Sequence, residues 1–570
     1  MSVTRRKIGI LSTTHELTKA QRDLVLWARS SDRYTISNLI VVVAPNYSPK
    51  GLHNGSSPSG KQSTAEKSRA VVLRILTKLE SRLTKRSGYP NFFDNFDPDL
   101  LKLKVTVITA DTSNSQSLQV GNLEKLDEVK ALELDLVIDI DSGANLGGPS
   151  QAVPWNILLL SYKDNRLNMG GPAGFWESAQ GQKSTGFMLG LRQSGETEWN
   201  VLSRGNISTS FLFTINHARL CEKAQPFLYS AIDKILVGQA TFLEATEAPF
   251  DSRPMSLPTV KTQARYIWSS LKRIFRNRRL YRTLRWNVAY QFTSSWQNIS
   301  FWKSFTIKNP AGRYLADPFM VKENGKHYCF VEDFSVELRK GVIAVYEVSP
   351  HGYEDLGTAL EEDFHLSYPF IFSHEGHLYM CPETAQIREI RLYVCKEFPT
   401  KWELSAVLMR DVDAADTSIF WHHDRWWMFS NICSADIGEH GSELHIFHSK
   451  ELFSSSWTAH TNNPVVFDSR WARNAGLIFD QKKIFRVHQR QGFDAYGEAF
   501  GVSEITHLSE KKFSENNLFI VEPNFFPRSL GTHTLNYDGE VVVFDYADTV
   551  KLLSQSFANL NSKIKRLLPK

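Results

Sequence analysis

Cysteine is scarce in this chain: five among 570 residues, an odd number with no Cys-x-x-Cys spacing. That excludes a disulfide framework and a cysteine-rich zinc ribbon as the source of stability. Three of the five fall inside expected strands, as reduced core thiols in a reducing compartment would. An excess of one charge is also missing, with 66 basic against 61 acidic side chains and a net charge of +5. Such a balance does not announce a nucleic-acid partner. No apolar run approaches the length needed to cross a bilayer. The first residues carry Arg5, Arg6 and Lys7 before an apolar run too short for a signal peptide, so they read as a first β-strand. No Gly-x-Gly-x-x-Gly follows that strand, so the dinucleotide fingerprint is absent. The expectation is a cytoplasmic protein, with room for peripheral contact at the inner face of a membrane.

What is abundant is aromatic: 12% of residues, 14 of them Trp. Much of it lies in a pattern that recurs five times. Leu315-Ala316-Asp317-Pro318-Phe319 leads through Asn324-Gly325 into His327-Tyr328-Cys329-Phe330. Tyr368-Pro369-Phe370, Asp416-Thr417-Ser418, Asn474-Ala475-Gly476 and Thr534-Leu535-Asn536 open the other copies, each followed by a turn and a second apolar strand. The spacing of about 50 to 60 residues suits one four-stranded sheet per copy, hence a five-bladed β-propeller. First strands line the channel of such a fold, and an edge position tolerates Pro318 and Pro369. The opening polar residues, Asp317, Tyr368, Asp416, Asn474 and His533, are therefore expected to meet in one axial funnel.

Residues 1–245 read differently. Apolar runs at Ile8–Leu11, Leu39–Ala44, Val105–Ile108, Leu134–Ile140 and Trp155–Leu160 alternate with helical spacing at Leu17–Arg29, Ala65–Leu83 and Leu123–Leu132, the grammar of a doubly wound sheet. Residues 48–63 are a Gly/Ser/Pro-rich loop. A linker at 246–300 carries Pro249, Pro254 and Pro258, then nine Lys or Arg and no acid from Lys261 to Arg285. Ile267, Leu271, Ile274, Tyr281 and Val288 give that stretch one apolar helical face. It reads either as a helix docking on anionic headgroups or as an interdomain helix packed between domains. The propeller is expected at 301–550, with a basic tail at 551–570.

Two resemblances rest on these residues. Ser161-Tyr162-Lys163-Asp164-Asn165, Gly170-Gly171-Pro172-Ala173-Gly174-Phe175-Trp176-Glu177, Ser184-Thr185-Gly186-Phe187 and Gly205-Asn206-Ile207-Ser208-Thr209 resemble the formyltransferase family. The resemblance implies a Rossmann-like α/β fold over residues 7–240, 10-formyltetrahydrofolate as cofactor, an amine acceptor, and an Asn–His–Asp set. Leu159, Leu160, Ser161 and Tyr162 stand where the Asn and His belong, and Gly195-Glu196-Thr197-Glu198 where the Asp belongs. A degenerate scaffold is therefore expected, with Asp164 and Asn165 as its binding residues. The second resemblance rests on Leu315–Phe319, Lys340-Gly341-Val342, His365–Phe370, Met380-Cys381-Pro382-Glu383, Arg425-Trp426-Trp427 and Gly531–Thr534. These resemble the N-terminal propeller of glucosamine inositolphosphorylceramide transferases, similar in turn to five-bladed glycosidases. Together the two imply an α/β Rossmann-like formyltransferase fold followed by an all-β propeller.

Sugar chemistry needs two carboxyl groups with different protonation. Asp317 is the candidate base or nucleophile, Asp416 its modulator, and Glu383 or Glu332 the acid. Arg473 beside Asn474 suits a phosphate or carboxylate on a nucleotide sugar or lipid acceptor. His422, His423, His445, His448 and His488 show no metal-ligand spacing and read mainly as exposed hairpin residues, so no metal is expected. Trp426 and Trp427 must face opposite sides of a strand, one toward the core and one free to stack on a sugar. The functional expectation is a carbohydrate-active transferase-like protein of surface polysaccharide or glycolipid synthesis, taking a carbohydrate or nucleotide sugar. The alternatives are an active amino-sugar N-formyltransferase and a non-catalytic glycan-binding assembly protein.

Overall fold

The computed structural model describes residues 5–43, 64–86, 88–110, 118–120, 123–142, 144–146, 153–162, 170–243, 257–280, 282–435, 437 and 439–551. The 48–63 loop, Asp164, Asn165 and all of the C-terminal tail but Lys551 lie outside them. The chain divides into two compact units, the first over Met1–Ser270 with Ala435–Gly438, the second over the remainder from Leu271.

The first unit is a seven-stranded sheet. In chain order its main elements are β1 (Arg6–Ser12), α1 (Lys19–Arg29), β2 (Tyr34–Val43), α2 (Thr64–Arg86), β3 (Lys104–Thr109), α3 (Leu123–Lys130), β4 (Leu136–Ile140), β5 (Asn156–Ser161), α4 (Phe175–Gln180), β6 (Ser184–Arg192), β7 (Asn200–Ser208), α5 (Phe213–Leu236) and the first half of α6 (Val260–Leu280), whose residues from Leu271 count with the second unit. The strand order is 3-2-1-4-5-6-7. β1 to β5 run parallel, and β6 and β7 add antiparallel. Parallel strands covered by helices need apolar side chains on both faces, which is why β2 and β4 are almost continuously apolar. Ile40, Val42, Val137 and Ile157 are all 2% exposed or less, in one cluster that also takes Leu126 and Val129 of α3. Thr18 starts α1 with a capping box closed by Gln21, which satisfies two otherwise orphaned N–H groups.

The second unit is a five-bladed β-propeller. Blade one is Arg313–Glu323, Lys326–Ser335, Lys340–Ser349 and Gly352–Leu360; blade two is Ser367–His374, His377–Glu383, Glu389–Glu397 and Lys401–Arg410. Blade three is Ala414–Trp421, Trp426–Ile432, Glu443–Ser449 and Thr458–Ala459; blade four is Asn474–Asp480, Lys483–Gly492, Ala495–Leu508 and Phe513–Val521. Blade five is shared between distant parts of the chain. Leu535–Tyr537 and Val541–Lys551 form its inner half, and Arg282–Phe292 and Phe305–Ile307 its outer half. Arg282–Phe292 pairs with Val541–Lys551 over eleven residues without a register break. The ring is thus closed by main-chain hydrogen bonds between its ends, which removes two free edges.

Three expectations need correction here. The basic helix does not run to Arg285: α6 ends at Leu280, and Arg282–Phe292 is a strand. Trp286, Val288 and Tyr290 alternate and are buried, a period of two that outweighs the loose helical match of Val288. Trp426 and Trp427 do face opposite ways, but both are core, at 5% and 1% exposure in different clusters. His488 is fully buried rather than an exposed hairpin residue.

Candidate functional site

The same local device aims a side chain from three of the inner strands. Pairing with the neighbouring strand breaks between Ala316 and Phe319, Ser367 and Phe370, and Ala415 and Ser418. In each gap one residue is forced into the left-handed region: Asp317, Tyr368 and Asp416, all at φ 47°. A non-glycine residue there is uncommon, and three in equivalent places mark a bulge that re-aims a side chain. Pro318 and Pro369 fall inside these gaps, where no ladder N–H is needed. In blade four the break lies between Asn474 and Gly476, and glycine, at φ 132°, takes the positive angle instead.

Two linked clusters result. In the first, His533 Nε2 lies 3.2 Å from Asp317 Oδ1 and His533 Nδ1 lies 2.7 Å from Asp545 Oδ2. Thr534 Oγ1 donates to Asp317 Oδ1 at 3.0 Å, and the backbone N–H groups of His533 and Thr534 donate to Asp545 Oδ1 at 2.9 and 3.0 Å. The ring of Trp286 lies over His533 with centroids 3.9 Å apart. In the second cluster, Arg473 Nε donates to Asp416 Oδ2 at 2.6 Å while its Nη2 lies 3.7 Å from Glu383 Oε2. Gln489 Nε2 donates to the same Asp416 oxygen at 3.1 Å. Tyr496 joins the two, its ring 5.0 Å from the Arg473 guanidinium and 5.2 Å from the His533 ring.

The electrostatics separate the carboxyl groups. Burial opposes the charged form of Asp317, but the His533 imidazolium, with help from Arg473, outweighs it and holds the pKa below the ordinary value. Burial likewise opposes the charge on His533, yet Asp545 and Asp317 raise its pKa to about 10. Glu332 and Glu383 go the other way. Burial, then the charges of Asp317 and Glu383, push Glu332 well above the carboxylate range. Burial, then Asp416, does the same to Glu383 against the pull of Arg473. The surroundings thus favour the charged forms of Asp317 and His533 and the neutral forms of Glu332 and Glu383, so groups biased toward base and toward acid stand in one neighbourhood.

Asp317, Asp416, Glu383, Arg473 and His533 are therefore all members of these clusters. Tyr368 sits in the core, its hydroxyl 3.1 Å from Ser418 Oγ, and burial, then Asp416, pushes its pKa up. Asn474 spends its amide on the carbonyls of Asp416 and Phe429, tying blades three and four together. Asp164 and Asn165 are among the residues not described. Asp545, Thr534, Gln489, Trp286 and Tyr496 were not expected. An aspartate ending the run Val541-Val542-Val543-Phe544 was the one visible signal among them. Tyr496, 40% exposed, offers the aromatic face that neither Trp426 nor Trp427 provides. Asp317, His533 and Asp545 each present an atom within 4.8 Å of the others and could hold a cation in place of the imidazolium proton. Asp545 is already engaged by three backbone N–H groups, those of Asp317, His533 and Thr534, so an ion triad accounts for the same geometry.

Residues 287–525 match a family model described as glucosamine inositolphosphorylceramide transferase 1, N-terminal. Glucosamine inositolphosphorylceramide transferase 1 of Arabidopsis thaliana is 32% identical over 217 residues, 37% of this chain and 28% of that protein. The protein of the same name from Oryza sativa subsp. japonica is 32% identical over 207 residues, 35% of this chain and 27% of that one. The chain thus spans under a third of the length of these relatives. Among solved structures, an α-L-arabinanase of Cellvibrio cellulosa covers 36% of this chain and 77% of its own at 15% identity and TM-score 0.28. Zg3597, a family 117 glycoside hydrolase of Zobellia galactanivorans, covers 46% and 91% at 10% identity and TM-score 0.31. Scores this low carry no functional weight. By sequence, the propeller is similar to the N-terminal region of glucosamine inositolphosphorylceramide transferases.

Proposed function

We propose that the propeller is the sugar-handling part of a protein that builds a glycolipid or surface glycan, with its chemistry at the Asp317–Arg473 centre. The observation that carries this reading is the convergence of buried Asp317, Asp416 and Glu383 with Arg473 and His533, in surroundings that lower the pKa of Asp317 and raise that of Glu383. In this scheme Asp317 accepts a proton from the attacking hydroxyl or attacks the anomeric carbon. Glu383 gives its proton to the departing oxygen. Arg473, held by Asp416, meets a phosphate or carboxylate, and Tyr496 stacks on a sugar face. Glucosamine inositolphosphorylceramide as a product type comes from the name of the relatives, and with it the proposal of an anionic lipid acceptor. The five cysteines, none of them in a disulfide, suit a reducing compartment, and the basic helix α6 suits an anionic membrane surface.

The test is a screen of the intact chain with nucleotide sugars and inositol-phosphate lipids, reading product by mass spectrometry. Turnover by the wild type that falls about 10²–10⁴-fold in Asp317→Asn supports the scheme. Binding without turnover, unchanged by that substitution, moves the reading to a glycan-binding assembly protein. The near-complete burial of Asp317 and Asp416 is the observation that favours this second reading.

For the first unit we propose a formyltransferase-like scaffold that has lost formyl transfer. Tyr162, where that chemistry would need a proton shuttle, is buried against His217, and burial and then Cys221 drive its hydroxyl far above neutral. A thermal-shift titration with a folate analogue is expected to give no shift. A saturable rise in Tm would restore the reading of a live amino-sugar N-formyltransferase.

A further inference from the structure

Among the described residues of the first unit, α2 carries a row of apolar side chains that are more than half exposed. Val71, Ile75, Leu79 and Leu83 of α2 recur every four residues and are 52%, 55%, 55% and 53% exposed. The other side of the same helix is already engaged. Leu73, Glu80, Ser81 and Thr84 are buried, and Leu73 packs with Phe175, Phe213 and Tyr266. Glu80 accepts from the backbone N–H and the hydroxyl of Thr214 at 3.0 and 2.9 Å and from the Tyr266 hydroxyl at 2.7 Å. The exposed row is thus a second apolar face. Its exposure costs free energy wherever nothing covers it.

Charge says what covers it. Seven of the 23 residues of α2 are Lys or Arg, against Glu66 and the buried Glu80. At about 100° per residue, Arg82, Lys78 and Lys85 lie within about 80° of Ile75 on one side, and Lys67 continues the row one turn before Val71. The neighbouring α6, tied to α2 by Tyr266 and by Gln263 Nε2 donating to the Arg69 carbonyl at 3.0 Å, adds Trp268 at 71% exposure. Lys261 and Arg265 share that side of α6, and the helix carries no acid. A narrow apolar row edged by long cations, with an exposed tryptophan beside it, is the composition of a helix lying in a lipid interface.

We propose that the α2 face, with Trp268 of α6, docks this protein on the surface of an anionic bilayer. Val71, Ile75, Leu79 and Leu83 enter the boundary between headgroups and acyl chains, and Lys67, Lys78, Arg82 and Lys85 meet lipid phosphates. The inference rests on the reading above only for the membrane setting, and its test contains no sugar, so either can fail alone. The full chain is floated with phosphatidylcholine vesicles and with phosphatidylcholine–phosphatidylserine vesicles, and Tm is recorded for every variant. The wild type is expected to float with the anionic vesicles alone and to be released by salt. The double variant Ile75→Ser/Leu79→Ser should weaken that partition at least about tenfold. Lys78→Glu/Arg82→Glu, which leaves every apolar side chain in place, should abolish it at unchanged Tm. Failure of the wild type to bind, or binding by both variants as tight as that of the wild type, overturns the proposal. A change of oligomeric state in the double variant, with no vesicle binding by the wild type, reassigns the face to a second copy of the chain.

Discussion

At the scale of the residue, the site is a set of charges that have left water together. Arg473 sits between Asp416 and Glu383, and removing one member of a buried ion group costs more than the group contributes, because the others lose their compensation. Arg473→Met is expected to destabilise the propeller by about 3–5 kcal/mol, read by urea unfolding. His533 gives a pH signature. Its pKa is raised to about 10 in the folded state from an ordinary 6.5. The stabilisation is therefore complete below pH 6.5 and is lost progressively as pH rises toward 10. Unfolding followed across that window should show stability falling with pH, and His533→Gln should flatten the slope. A wild-type profile already flat there would mean that His533 is not held as a cation. Asp317 and Asp416 were legible because each opens a repeat at the same offset from an apolar run. Asp545 and Tyr496 were not, since a second or third strand carries no repeat signal for the side chain it sends inward. Tyr368 and Asn474 show the limit of the offset argument: the position is equivalent, but packing and a backbone hydrogen bond take the side chain.

At the scale of the element, the bulges decide where the polar side chains go. A strand without its bulge would keep strict alternation and send the next side chain to a blade interface. Gly476 is the sharpest test. Its φ is 132°, and a Cβ there would come within 2.3 Å of the Leu535 carbonyl oxygen, the start of the inner strand of blade five. Gly476→Ala is expected to cost about 1–3 kcal/mol through strain and a displaced contact, measured by the urea midpoint. An unchanged midpoint would show that the inner strands are less closely apposed than described. The helix and strand runs of the first unit were readable from periodicity because both sheet faces are covered. Arg282–Phe292 was misread because its arginines hide an alternation whose partner residues lie 249 to 269 positions away, at Val541–Lys551.

At the scale of the molecule, the propeller is closed by its ends. Each blade packs on the next through aromatic and aliphatic clusters, and Arg282–Phe292 with Val541–Lys551 supplies the last joint. Loosening that joint should be felt around the whole ring. Val543→Asp, which buries a charge in the clusters flanking blade five, is expected to raise hydrogen exchange in all five inner strands rather than locally. Protection lost in blade five alone would mean that the blades fold independently. The five-fold repeat was plain in the sequence, whereas the closure was not, because Val541–Lys551 reads as the second strand of the fifth copy while its partner Arg282–Phe292 lies outside the repeat.

The most direct test of the central claim is product formation from a nucleotide-activated amino sugar and an inositol-phosphate lipid by the intact chain, compared between wild type and Asp317→Asn at matched folding. The account predicts a glycosylated lipid from the wild type and a loss of about 10²–10⁴-fold in the variant. Equal product from both proteins would contradict it, because the ionised aspartate would then have no part in the chemistry.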